Sequence, residues 1–349
     1  MSKAPLVSII VPLYNKEKDI RYSIGSILNQ TVDNFELIVV NDGSTDDGPE
    51  IVRRISDPRI RIVNQPNNGV SAARNRGIYE SRSDLIAFID ADDEWMPDFL
   101  ETILRLRDKF PTCAVFATSY IFEQEKGRVA PAIVRDIPSY PWEGILNDYF
   151  KIAAKSDPPI WSSAIAVTKK AITSIEGFPV GVTSGEDLLT WARLASKFDI
   201  AYSTKPCAKF KVTLSVPIKP RIPQVPDSVG EGLLKLLEDR NSDKLKSIEV
   251  YLSMWHRMRA SCFLQLGACK EARQEVVMMS RYSGCGLTWA IYGMAACTPP
   301  NISKGLLKFA IYLRNSRRKL LALPSRLPIT ICTQTRFPNK MAPNVQNRP

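Results

Sequence analysis

Three short, nearly continuous apolar runs constrain this chain more than any other feature: LVSIIVP (residues 6–12), FELIVV (35–40) and LIAFI (85–89). A strand with one wet face alternates polar and apolar residues. These runs do not, so both of their faces are buried, as in a parallel sheet covered by helices. Helical spacing follows each, over Ile20–Leu28, Pro49–Ile55 and Pro97–Phe110, and RIRIV (59–63) adds a strand with a helix over Ser71–Ser81 behind it. The pattern predicts an α/β fold, a Rossmann-like, mostly parallel sheet flanked by helices. Ligands of such sheets collect beyond the carboxyl ends of the strands. The segments there are LYNKEKD (13–19), NDGSTDD (41–47), NQPNNGVSAARN (64–75) and DADDE (90–94), all polar and predicted to converge on one edge.

Further along, ATSYIF (117–122), SSAIAVT (162–168) and CAKFKVTLSV (207–216) read as strands, and Glu186–Lys197 as a helix. VPIKPRIPQVPD (216–227) can form neither helix nor central strand and reads as a linker. Residues 229–320 are helical in pattern, with breaks near Gly284–Gly286 and Thr298–Pro300 and a hairpin turn at Leu266–Gly267. The expected organisation is a front domain (1–215), a Pro-rich linker (216–228), a basic helical extension (229–322) and a disordered tail (323–349).

Charge supports that division. Residues 1–215 carry 26 basic and 28 acidic side chains, whereas residues 216–349 carry 21 and 8, with no acid after Glu275. The two parts are expected to do different jobs. Seven scattered cysteines show no pair at zinc or redox spacing, which fits a reduced compartment. The chain enters a strand pattern directly after MSKAP, and no apolar run approaches the ~20 residues that cross a bilayer. A cytoplasmic location is the expectation.

Chemistry concentrates at the polar edge. The sole histidine, His256, lies in the basic half with no Cys or acid at ligand spacing and reads as a packing or surface residue. Any general base in the front domain is therefore an acid, or less commonly Lys, Tyr or Cys. Glu186 and Asp187 open a helix, where acids also serve as dipole partners. Asp42 sits in an Asp-Gly turn or accepts a hydrogen bond from a nucleobase. DADDE is a solvated turn or a cation site, and few carboxylates completed by water and phosphate suit Mg²⁺ or Mn²⁺. GxGxxG, P-loop and nucleophile-elbow motifs do not occur.

Together, VSIIVPLYNKEKDI (7–20), SILNQTVDNFELIVVNDGSTD (26–46), NNGVSAARNRGI (67–78), LIAFIDADDEWMPD (85–98) and GFPVGVTSGEDLLTWARL (177–194) resemble the family-2 glycosyltransferases. The resemblance covers roughly residues 5–215 and implies a GT-A fold and an inverting transfer from a nucleotide-diphosphate sugar. It places Pro12, Tyr14 and Asn15 at the nucleotide pocket and Asp42 on the base, with Asn41 standing where the family usually has a further Asp. Arg74 and Asn75 would shape the nucleotide side, and Asp90 would lie near ribose and diphosphate. Asp92 would hold Mg²⁺ or Mn²⁺ with Asp93 in support. Asp187 would be the catalytic base, with Glu186 and Trp191 positioning the acceptor, a saccharide or lipid-linked hydroxyl of bacterial surface-polysaccharide synthesis. A nucleotidyltransferase and a non-catalytic nucleotide-binding scaffold of the same fold are the alternatives.

SKGLLKFAIYLRNSRRKLLAL (303–323) interleaves Leu306, Leu307, Ala310, Ile311 and Leu313 with Lys304, Lys308, Arg314, Arg317, Arg318 and Lys319. Such a helix either lies on an anionic membrane surface or packs on the protein with its charges in solvent. No nucleic-acid reader motif accompanies it.

Overall fold

The continuous apolar runs become strands because neither face is left to water. The computed structural model describes residues 4–124, 127–212, 222–238, 243–283 and 286–319. Strands β1 (Val7–Leu13), β2 (Phe35–Asp42), β3 (Ile60–Gln65) and β4 (Leu85–Phe88) lie parallel in the order β3-β2-β1-β4, joined through α1 (Ile20–Leu28), α2 (Gly48–Arg53) and α3 (Val70–Glu80). Along β1 the side chains alternate between two cores. Val7, Ile9 and Val11 pack with Ile20, Ile24 and Ile27 of α1 on one face. Ile10 packs with Ile78 of α3 on the other.

The chain continues through β5 (Glu94–Trp95), α4 (Phe99–Lys109), β6 (Val115–Gln124), β7 (Arg128–Pro131), β8 (Glu143–Ile145) and α5 (Tyr149–Lys155). Next come β9 (Ile165–Thr168), α6 (Lys169–Ser174), α7 (Glu186–Lys197) and β10 (Ile200–Val212). The sheet extends as β4-β9-β6-β10-β5, and β9 runs antiparallel to both of its neighbours. The sheet is thus mostly parallel, as expected, and which strand reverses was not legible, because continuous burial looks the same in sequence whichever way a strand points. The reversal matters for the site. Because Ile165 pairs with Phe88, the residues just before β9 arrive at the same edge as DADDE.

Beyond the Pro-rich stretch, whose residues 213–221 lie outside the described ones, come α8 (Ser228–Lys235), α9 (Leu245–Leu266), α10 (Cys269–Ser283), α11 (Leu287–Cys297) and α12 (Pro300–Lys319). The hydrophobic core does not divide where the composition does. Val229 and Leu233 of α8, and Ile248, Tyr251, Leu252 and Trp255 of α9, share a core with Leu188, Leu189 and Trp191 of α7. The distal half of α9, from Ala260, instead joins α10–α12 in a separate cluster.

In α12 the apolar face expected to meet a membrane packs inward: Leu307 and Ala310 are buried and Leu306 and Ile311 lie against that cluster. The outer stripe is formed by Ile302 and Phe309, both exposed, beside the exposed Lys304 and Lys308. Among the described residues no helix is long and apolar enough to cross a membrane. The expected tail, 323–349, and the end of the 303–323 segment lie outside the described residues.

Candidate active site

Four parallel strands end on one edge, and the loops after them are tied to one another. Asn15, in the left-handed region at φ 51, donates its backbone N–H to Ser44 Oγ at 3.2 Å, and its side-chain oxygen accepts from the Thr45 amide at 2.8 Å. Gly43, at φ +71, brings the next loop so near the Asn67 backbone nitrogen that a Cβ would stand 2.8 Å from it. Pro12 pairs with Val40 in the sheet, and Tyr14 is half-buried beside Asn15.

Asp42 ends β2 with its carboxylate turned inward. It is buried and accepts from Gln65 Nε2 at 2.7 Å, the Asn68 amide at 3.0 Å and the Gly69 amide at 2.9 Å. In this arrangement Asp42 staples the loop that starts α3. Asn75 likewise makes its bonds within the protein. Its amide clamps Phe178, donating to the carbonyl and accepting from the N–H, each at 2.8 Å.

The acidic loop solves its charge problem one residue at a time. Asp90 accepts from Arg74 Nη2 at 2.7 Å. Asp92 is ion-paired to Lys16. Glu94 meets Lys211 at 2.5 Å and Lys209 at 3.8 Å. Asp93 is fully buried and accepts from Ser163 Oγ and from Trp161 Nε1 at 3.1 Å. Burial, then the charges of Asp92 and Asp90, push its pKa well up. Asp93 thus anchors the loop from within through Ser163 and Trp161. Ser163 also takes the Asp90 amide at 3.0 Å, and Trp95 Nε1 reaches the Ser163 carbonyl at 2.6 Å. The sequence reading passed over Ser163 and Trp161 because their role depends on the reversed β9.

Arg74 joins the two halves of the site. Its guanidinium, 1% exposed, reaches Asp90 on one side and Glu186 at 3.5 Å on the other. It is thus a bridge and not a lining residue. Burial alone would favour its neutral form, but Asp90 and Glu186 reverse that and keep it charged. Beside it, Asp187 opens α7 with Oδ1 accepting from the Leu188 amide at 2.8 Å. Burial, reinforced by the neighbouring Glu186 and opposed by Arg74, raises its pKa to about 7. Trp191 is 0% exposed, edge-on to Phe178 at 5.4 Å and near Phe88 at 6.4 Å, so its ring lies in the core behind the start of α7.

Asp92 fits a hard divalent cation: it is an oxygen donor at the sheet edge whose counter-charge is a displaceable ammonium, its side chain still a quarter exposed. A second cluster, Asp227, His256 and Glu275, has ligand atoms within 4.8 Å of one another. Arg259 Nε, 2.7 Å from Glu275 and 3.3 Å from Asp227, already supplies the cation there. His256 is buried against Glu275 at 2.7 Å, so of the packing and surface readings it is the packing one, with an acid 19 residues along the chain as partner.

Fold and site together define a GT-A domain. Over 90% of this chain and 91% of its own, the Staphylococcus aureus TarS 1–349 structure in complex with UDP-GlcNAc superposes with a TM-score of 0.60 at 18% identity. The mannosyltransferase PcManGT from Pyrobaculum calidifontis, in complex with GDP-Man and Mn²⁺, does so with 0.54 at 17% identity, covering 92% and 88%. Residues 8–166 match the family described as Glycosyl transferase family 2. An uncharacterized glycosyltransferase of Rickettsia bellii is 34% identical over 208 residues, 59% of this chain and 29% of its own. The chain spans about 30% of the length of the curated relatives it matches.

Proposed function

We propose that this chain is an inverting, metal-dependent glycosyltransferase. It moves a sugar from a nucleoside-diphosphate sugar, UDP-linked by preference, to a hydroxyl of a saccharide or lipid-linked acceptor in cell-surface polysaccharide synthesis. The observation that carries the reading is the line Asp90–Arg74–Glu186 with Asp187 beside it. A carboxyl with a pKa of about 7 is half ionised at neutral pH, where a general base is most effective. Asp187 would take the acceptor proton while Glu186, fixed by Arg74, holds the acceptor side. Arg74 keeps Asp90 oriented toward the donor, and Lys16, once freed from Asp92, lies where a diphosphate would need a cation. Mg²⁺ or Mn²⁺ held by Asp92 would supply charge neutralisation for the departing diphosphate. One protein carboxylate then suffices, whereas an inverting hydrolase needs two across the sugar. The support from PcManGT is that a protein of this fold was solved with Mn²⁺ and a nucleotide sugar.

The location we propose is the cytoplasmic membrane face, reached through the outer stripe of α12, where Ile302 and Phe309 would enter the interface between Lys304 and Lys308. The test of the catalytic reading is a panel of UDP- and GDP-sugars with Mn²⁺, assayed for nucleotide release by wild type, Asp92→Ala and Asp187→Ala. Asp92→Ala should lose metal-dependent donor binding. Asp187→Ala should bind donor and fail in transfer; full transfer by it removes the base assignment.

A further inference from the structure

Helix α9 links the two helical neighbourhoods, and two of its aromatic residues, one turn apart, face the start of α7. Gly185 precedes Glu186 with φ +83, and a Cβ there would come within 2.7 Å of Cη2 and 2.8 Å of Cζ3 of Trp255. The indole therefore lies directly on the backbone that presents Glu186 and Asp187. It cannot slide away. Its Nε1 donates to both Asp227 oxygens, at 3.0 and 3.2 Å. Asp227 in turn caps α8 through the Gly230 amide at 2.9 Å, and Arg259 stands 3.3 Å from it while pairing with Glu275 at 2.7 Å. A turn earlier on α9, Tyr251 lies against Tyr149 of α5 at 5.9 Å between ring centroids, and both hydroxyl groups are buried close to Asp187. From α8, Gly232 lets Leu189 approach so closely that a Cβ would meet it at 2.7 Å.

We propose that α8 and α9 are working parts of the active site, with Trp255 as the positioning residue that holds Gly185–Asp187 in register with Arg74 and Asp90. The proposal rests on Asp187 being the base, and extends it: the base is aimed from outside the segment that carries the family resemblance. The Asp227–Arg259–Glu275–His256 cluster, buried except for the half-buried Asp227, then has a task, since it fixes the indole that fixes the loop.

The test uses the full chain. Trp255→Leu keeps the core filled but removes the flat ring from Gly185, and Trp255→Phe restores a ring without the N–H. Hydrogen–deuterium exchange reads the amides of residues 183–190, with β1 and β4 as internal reference. Donor turnover, with whichever UDP- or GDP-sugar the panel shows to be used, gives kcat and KM. Trp255→Leu should speed exchange at 183–190 alone and lower kcat by about tenfold to a hundredfold with donor KM nearly constant, the scale expected for a misplaced catalytic group. Trp255→Phe should recover only part of both, because its ring returns without the N–H that Asp227 holds. Asp227→Asn, which leaves the core intact, should speed the same exchange. Unchanged exchange at 183–190 in Trp255→Leu, or loss of protection equally in β1 and β4, overturns the proposal. Asp187→Asn runs alongside: wild-type transfer by it defeats the base reading, while the exchange data still decide whether α9 holds the loop.

Discussion

Removing the Arg74 guanidinium should unbalance the site in a manner that pH reports. Arg74→Met keeps the volume of the stem and deletes the charge, leaving Asp90, formerly 2.7 Å away, and Glu186, formerly 3.5 Å away, without their shared cation. Breaking a buried pair from one side costs about 3–5 kcal/mol. With a urea slope of ~2–3 kcal/mol/M, the unfolding midpoint should fall by roughly 1–2 M near neutral pH. The sign with pH follows from Asp187, whose pKa is raised by burial first and Glu186 second, with Arg74 opposing. A carboxyl raised in the folded state contributes stability below its unfolded value, ~3.9, and that stability is lost as pH rises through the folded one. Deleting Arg74 raises the folded value further. The penalty should therefore be largest at pH 8 and shrink toward pH 5, as the stranded carboxyls take up protons. At pH 7 the variant should also lose base activity, about tenfold per unit by which Asp187 climbs. Arg74→Lys should recover part of the stability but not the fork that spans both acids. Urea unfolding at pH 5, 6, 7 and 8 measures this. A loss below ~1 kcal/mol, or an equal loss at pH 5 and pH 8, would refute the reasoning.

Asp187→Asn should abolish transfer yet flatten the pH dependence between ~4 and 7, gaining about 4 kcal/mol on wild type at pH 8 relative to pH 4, as read by paired denaturation curves. Gly77→Ala should reverse the usual helix benefit. A Cβ there would meet Ile10 Cγ2 at 2.4 Å, so a loss of about 1–3 kcal/mol in thermal unfolding is expected where an exposed helical site would gain ~1. Asp42→Ala frees one donor at the end of β3 and two before α3 and should cost about 2–4 kcal/mol, visible as faster amide exchange at Asn68 and Gly69. In liposome flotation, Lys304→Glu/Lys308→Glu should weaken binding to anionic vesicles by roughly tenfold or more, while Leu307→Ala should act on stability instead.

Much of the architecture was open to reading along the chain. Periodicity located α1 and α7 at their observed bounds, Ile20–Leu28 and Glu186–Lys197, because amphipathic spacing and terminal residues are local signals. The converging polar edge followed from strand direction alone. What stayed hidden was the identity of partners. An acidic loop announces charge but not its compensation, and Lys16, Arg74 and Lys211 come from three distant segments. The same limit applied to Trp191, whose neighbours Phe88 and Phe178 enclose it, and to Asp42, whose donors sit on the following strand and loop.

The apolar runs and helical spacing by themselves therefore determined a helix-covered sheet with its acids at one rim. Only the tertiary structure decided which acids remain available to a ligand, that β9 enters reversed to bring Ser163 and Trp161 to that rim, and that α9 reaches back to Gly185. Local pattern reports whether a residue is buried, whereas pairing of charges and close backbone contact depend on segments that meet only after the chain has folded.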